Sequence, residues 1–161
     1  MLSYLMVAEL FIKTFVQEML SISCKYALRA AVYIMSKAQE GVRLSIKEIA
    51  GEIEANEHTT AKILQVLVKE GILSSAKGPT GGFYIPASAA SIYLIDIVTA
   101  IDGSSFFFEC GLGLKACSES KPCPLHATYK ATREKLYQEL STTTIQELST
   151  NLIAGKAFLK R

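Results

Sequence analysis

Apolar residues recur at helical spacing in three successive stretches near the start of the chain. In "SISCKYALRAAVYIMSKAQEG" (21–41), Leu28, Ala31, Val32 and Met35 share one face; Ser21 or Ser23 can cap the start and Gly41 can end it. In "LSIKEIAGEIEA", Ser45 with Glu48 three residues on is a capping-box signature, and Ile46, Ile49, Ala50 and Ile53 form the stripe. Asn56 can cap the next helix, "EHTTAKILQVLVKEG". Its buried face is Thr60, Ile63, Leu64, Leu67 and Val68, and Gly71 stops it.

The period then changes. "ILSSA" and "GGFYIP" are short β-prone runs around "KGPTGG", a turn signal with Pro and Gly at its centre, so they predict a β-hairpin. Helical spacing returns in "SIYLIDIVTAIDG" (91–103), with Leu94, Ile97, Val98 and Ile101 on one face. Further on, Leu125, Tyr129, Thr132, Leu136 and Leu140 make one long stripe on a helix with no obvious intrachain cover. Such a helix packs on its symmetry mate, which predicts a two-fold homodimer. Thr144 with Glu147 marks a last short helix. Three short helices followed by a hairpin is the order of a winged helix-turn-helix. The predicted fold is mainly α: a winged helix-turn-helix domain with a two-stranded β-hairpin wing, plus a long C-terminal dimerisation helix.

Composition changes this picture little. The chain has 161 residues, half of them apolar and a fifth charged, and a formal net charge of +2. That suits one globular domain with an appendage and carries no partner information. No run of ~18 uninterrupted apolar residues exists. Glu9 and Lys13 interrupt the N-terminal apolar stretch, which lacks a basic start and a cleavage site, so it reads as neither signal peptide nor anchor. The expected place of work is the cytoplasm, without a membrane.

Candidate chemistry is concentrated in "CGLGLKACSESKPCPLH" (110–126), which holds Cys110, Cys117, Cys123 and His126. In a reducing compartment, clustered thiols point to metal or redox chemistry rather than disulfides. Thiolate suits iron–sulfur clusters and zinc, and imidazole suits both. The spacing C-x6-C-x5-C-x2-H lets a Gly- and Ser-rich loop wrap a cluster, whereas structural zinc sites favour C-x2-4-C knuckles. Pro124 stands near a helix start, so Cys123 and His126 can face one site from the first turn. A metal-free thiol sensor, zinc and an inert loop remain as alternatives. An enzyme does not fit, because the loop offers only His126 and Glu119 as acid or base and no catalytic motif.

"MLSISCKYALRA", "KILQVLVKEGILSSAKGPTGGFY" and "CPLH" leading into the long helix closely resemble the IscR/NsrR/CymR-type regulators, the Rrf-two family. The resemblance runs from about Met19 to the C-terminus. It implies a homodimeric winged-helix transcription regulator, in the simplest reading a repressor, on palindromic double-stranded DNA operators. It also implies an iron–sulfur cluster on three loop cysteines, with His126 matching the fourth ligand of those members that have a His there. Other members use an acidic residue just before the Tyr of the first helix. Here that position is Lys25, with Cys24 beside it as a rival ligand. The first spacing is x6 where the His-bearing members have x5, so two-iron (2Fe-2S) and four-iron (4Fe-4S) forms both stay open. Met19 stands where members usually begin. Residues 1–18 therefore read as an N-terminal extension, from an upstream start codon or as an apolar helix that packs elsewhere. The remaining division is 19–103 for the winged domain, 104–126 for the cluster-binding loop, and 127–161 for the dimerisation and C-terminal helices.

For DNA, the candidates on the third helix are His58, Thr59 and Lys62, and those at the wing are Lys77, Gly78, Thr80, Gly81 and Gly82. His58 reads equally as a solvated surface histidine. Lys77 stands where many relatives have Arg, which alters what the wing can grip. The glycines permit a tight tip and would let backbone N–H groups approach phosphates. Between positions 43 and 85 five Lys/Arg balance five Glu. A sequence-independent binder would carry a basic excess there, so specific contacts and dimerisation must supply more of the affinity. A winged helix used only for protein contacts is the alternative.

Overall fold

The computed structural model describes residues 19–160; the N-terminal extension 1–18 lies outside the described residues. Helix α1 (Ile22–Ser36) is the central element. Ser21 caps it, its Oγ accepting from the Cys24 N–H. Buried Ala27, Ala30 and Ala31 give α1 a small-residue face on which neighbouring elements seat closely. The helix ends earlier than its apolar pattern predicts: a 3-10 turn (Ala38–Glu40) carries the chain to Gly41.

The helix-turn-helix is α2 (Ile46–Ile53) and α3 (Glu57–Lys69). Both begin on the predicted caps. Asn56 Oδ1 accepts from the Thr59 N–H at 2.8 Å. Gly71 closes α3: its N–H bonds the Val68 carbonyl and the Ile72 N–H bonds the Leu67 carbonyl, the paired bonds of a Schellman stop. At φ 74°, Gly71 takes the left-handed conformation this stop requires. Ile49 and Ile53 of α2 meet Ile63, Leu64 and Leu67 of α3 in the main core with α1.

The Ser45 capping box is complete: Ser45 Oγ accepts from the Glu48 N–H, and Glu48 accepts from the Ser45 N–H at 2.7 Å. The Ser45 hydroxyl, then its backbone N–H, hold the Glu48 carboxyl below its usual range. A depressed folded pKa means stability that is present above the ordinary Glu value and lost as pH falls through the lowered one. Ser45→Ala is expected to cost about 1 kcal/mol near neutral pH. The difference from wild type should narrow in acid, as read by denaturant unfolding at the two pH values.

Strands β1 (Ser74–Ala76) and β2 (Gly82–Tyr84) pair antiparallel, with Ser75 opposite Phe83. The apolar pattern does not reveal a third participant: Leu44 exchanges backbone bonds of 2.9 and 2.8 Å with Phe83. The residue leading into the helix-turn-helix thereby becomes a partner of the wing.

Helix α4 spans Leu94–Asp102 rather than starting at 91. Ile92 and Tyr93 are extended because they bond the segment before α6 (Ile145–Ile153), through Ile145 N–H to Ile92 and Leu94 N–H to Thr143. Helix α6 begins on the predicted Thr144–Glu147 box, and its Ile145, Leu148 and Leu152 join the main core. The long helix is α5 (His126–Thr142). Its predicted uncovered stripe needs correction at the C-terminal end. Leu140 is buried and Leu136 half-buried against Cys24, Val98 and Phe107, a second core cluster. A 3-10 turn (Ser105–Phe107) folds the chain back beneath α5, and this places Phe107 there. Among the described residues, no helix is long and apolar enough to cross a membrane.

Candidate functional site

On the helix-turn-helix side, His58 is exposed in the first turn of α3, Thr59 is half-buried and Lys62 is exposed one turn on. Thr60, at the position facing inward, is fully buried and returns its hydroxyl to the Asn56 carbonyl at 2.9 Å. Lys77, Gly78 and Thr80 are exposed between the strands. Gly81 and Gly82 are there for steric reasons. A Cβ on Gly81 would lie 2.3 Å from the Ala76 carbonyl oxygen, and one on Gly82 would lie 2.7 Å from that of Leu44. The Gly81 N–H is already bonded to Gly78 at 2.9 Å, so it is not among the donors left for a phosphate.

Arg43 is the residue that the linear pattern missed. Its guanidinium lies 5.4 Å from the Tyr84 ring centroid and reaches 3.5 Å to the Thr80 carbonyl. It therefore bridges the start of α2 and the wing tip, in an open groove also lined by Gly41, Ser45, Pro79, Thr80 and Gly81. The local stretch "GVRLS" contains no signal for this; the Leu44–Phe83 pairing creates it.

The cysteine segment connects the second 3-10 turn to α5. Its four candidate ligands stand in two pairs. Cys110 Sγ lies 3.8 Å from Cys123 Sγ, and Cys117 Sγ lies 3.4 Å from His126 Nδ1. A tetrahedral centre with a metal–sulfur bond of about 2.3 Å places two thiolates about 3.8 Å apart, and a thiolate and an imidazole about 3.5 Å apart. Both separations match such edges. Among the described residues no three His, Cys, Asp or Glu side chains gather closely enough to hold a single metal ion.

The backbone prepares Cys110 for a negative sulfur. N–H groups of Leu112, then Leu114, bond its thiol and hold it below the usual cysteine range, with smaller help from Cys123 and the Arg133 charge. A turn closed by the Gly113 N–H on the Cys110 carbonyl at 2.8 Å curls the loop this way. A second turn, His126 N–H to Cys123 carbonyl at 3.0 Å around Pro124, sets the start of α5. Two ties hold the loop on α5: Lys130 with Glu119, and Arg133 with the Glu109 carbonyl.

Cys24 lies in the second core cluster, outside the cysteine segment. It is fully buried beside Val98 and Phe107, and its thiol is pushed up to about 12 by burial first and the neighbouring Asp102 charge second. Its cluster contains no residue of the 110–126 segment that carries the other candidate ligands.

Residues 20–151 match the family described as "Rrf2: Iron-dependent Transcriptional regulator". The chain belongs to the Rrf2 family. Protein aau3 of Rhizobium meliloti is 32% identical over 125 residues, covering 76% of this chain and 79% of that protein. The HTH-type transcriptional regulator IscR of Xenorhabdus nematophila is 25% identical over 127 residues, 79% of this chain and 76% of its own. In fold, the chain is similar to CymR, the global cysteine regulator of B. subtilis, with a TM-score of 0.68 and 21% identity over 81% of this chain and 95% of that one. This Rrf2 chain is accordingly a winged-helix, DNA-binding transcriptional regulator and not an enzyme.

Proposed function

We propose that this Rrf2 regulator is a cytoplasmic homodimer whose operator binding is set by an iron–sulfur cluster held by Cys110, Cys117, Cys123 and His126. The observation that carries this reading is the arrangement of those four donors in two pairs, each at the edge length of a tetrahedral metal centre. A two-iron cluster uses one pair per iron, which favours 2Fe-2S over 4Fe-4S here. Such a cluster supplies a centre that changes charge on electron transfer and is lost on oxidation.

The protein's part is positional. Filling the 110–126 loop fixes Cys117 and Cys123 against His126 and Cys110, and so fixes the loop on α5. The inner face of α5 touches α4 and α1 through Leu136, Leu140, Val98 and Cys24, and α1 packs directly on α2 and α3. A shift of α5 therefore moves the reading head. The outer side carries exposed Phe108 and Tyr137, a surface suited to the second copy. Two reading heads related by a two-fold match a palindromic operator, and occupancy of that operator represses. His58, Thr59 and Lys62 address the major groove. Lys77, Gly78, Thr80, Gly81 and Gly82 follow the adjacent backbone, with Arg43 between them.

The test is anaerobic purification followed by visible absorption, iron and sulfide analysis, and gel shifts of loaded and cluster-free protein on one operator. The reading expects a coloured protein and a change in operator affinity or preference on cluster loss. Identical binding by the two forms would sink the regulatory part; a protein colourless even after reconstitution would sink the cluster.

A second reading has its own observation. Cys110 and Cys123 are close enough that a modest movement would close a disulfide, whose sulfurs stand about 2.05 Å apart. A metal-free thiol sensor would use this pair and leave His126 idle.

A further inference from the structure

Helix α6 stops at a pair of turn bonds: the Gly155 N–H bonds the Leu152 carbonyl at 3.1 Å and the Lys156 N–H bonds the Asn151 carbonyl at 3.0 Å. The chain then reaches the helix-turn-helix. Leu159 is half-buried, and Lys160 Nζ lies 2.9 Å from Glu52 Oε2 on α2. Residues 154–161 hold three Lys/Arg and no Asp or Glu. A basic segment distant in sequence is thereby laid on one of the two helices of the reading head.

The ion pair contributes little to stability. Its side chains keep 45% and 31% of their exposure, and such pairs are weak in water. Its place says more. Glu48 and Glu52 stand one turn apart on α2, and Glu48 lines the groove below the wing with Arg43, Thr80 and Gly81. The charges of Glu52, Lys37, Glu48 and Lys160 all act on the Tyr33 phenol, which burial first and Glu52 second push above its ordinary range. The edge of α2 with the two carboxylates therefore runs from the wing groove to Lys160. The first helix of a helix-turn-helix crosses the DNA backbone, where a bare carboxylate repels phosphate. Neither carboxylate is bare: Glu48 closes the Ser45 capping box, and Glu52 is held by Lys160. Between positions 43 and 85 five Lys/Arg only balance five Glu, so this domain gains from a cation supplied by another part of the chain.

We propose that residues 156–160 are a basic clasp on the reading head, whose Lys160 masks Glu52 so that the DNA backbone meets a neutral edge on α2 instead of an acidic one. The inference rests on the DNA-binding role of the helix-turn-helix and is independent of the cluster. The clasp acts on phosphates, not bases, so it sets the sequence-independent part of the affinity. Its effect is greatest at low salt, because ions screen a charge at an exposed site.

The experiment measures binding of the full chain to a fluorescein-labelled DNA duplex of mixed sequence by fluorescence anisotropy across a salt series, with every variant in the same cluster state. Lys160→Gln should weaken binding by about threefold or more at low salt, and the loss should fade as salt rises. Lys160→Arg should bind like wild type. Lys160→Gln combined with Glu52→Gln should regain the wild-type affinity although the clasp is gone, because the charge left bare has been removed with it. Thermal unfolding should be nearly the same for all four proteins. Equal binding by Lys160→Gln and wild type overturns the proposal. So does a loss that Glu52→Gln fails to repair, or one that persists unchanged at high salt, since either would make the contact structural. A wild type that binds the duplex at no salt concentration overturns the DNA-binding role and the clasp's role with it.

Discussion

Alanine in place of Cys123 is expected to leave an anaerobically purified protein colourless, whereas alanine in place of Cys24 is expected to leave the chromophore intact. The two cysteines differ in what surrounds them. Cys123 is half-buried and faces Cys110 at 3.8 Å, with His126 tied to it through the backbone. Removing it leaves one of the two donor pairs with a single sulfur, and a cluster missing one protein ligand is rapidly lost. Cys24 lies in a dry cluster with Val98, Phe107 and Leu140, its thiol held protonated by burial and by Asp102. Its truncation costs stability of about 1 kcal/mol, as for a small buried hydrophobe, and no ligand. Visible absorption with iron and sulfide analysis reads the first effect, and thermal unfolding the second. A colourless Cys24→Ala protein beside a coloured Cys123→Ala protein would reverse the ligand assignment.

Gly82→Ala is expected to destabilise the fold by roughly 2–4 kcal/mol, through a strained backbone and a steric clash together. Gly82 sits at φ 149°, where side chains are rarely tolerated. Its new methyl would approach the Leu44 carbonyl oxygen to 2.7 Å and Leu44 and Arg43 carbonyl carbons to 3.0 and 3.1 Å. All three are backbone atoms and cannot swing aside. Relief requires β2 to move off Leu44, which carries Arg43 away from Thr80 and loosens the wing. Operator affinity should then fall by roughly tenfold or more, equivalent to about 1.4 kcal/mol. Gly51→Ala is the control. Gly51 lies inside α2 with open space around its Cβ position, and alanine there should stabilise by about 0.5–1 kcal/mol. Denaturant unfolding and gel shifts distinguish them; equal stability of Gly82→Ala and wild type would refute the steric account.

The sequence by itself determined the elements and their order. Ser45, Asn56 and Thr144 announce helix starts because a cap bonds a backbone N–H only two or three residues away. Gly71 announces a stop for the same short-range reason. The hairpin is legible because its turn chemistry lies within its own loop, and the family because its motifs are contiguous. The cysteines and His126 were visible as a group, since soft donors seldom cluster by chance in one polar loop. Tertiary structure alone decided the rest. Which thiol faces which partner depends on how a 17-residue loop curls, and spacing does not encode that. The cover over Leu136 and Leu140, the burial of Cys24 beside Val98 and Phe107, the pairing of Leu44 with Phe83 and the burial of Arg133 all join residues distant in sequence. A periodic pattern reports that a face is apolar. Only the folded chain, which settles what that face meets, shows that Arg133 on a largely polar helix is buried.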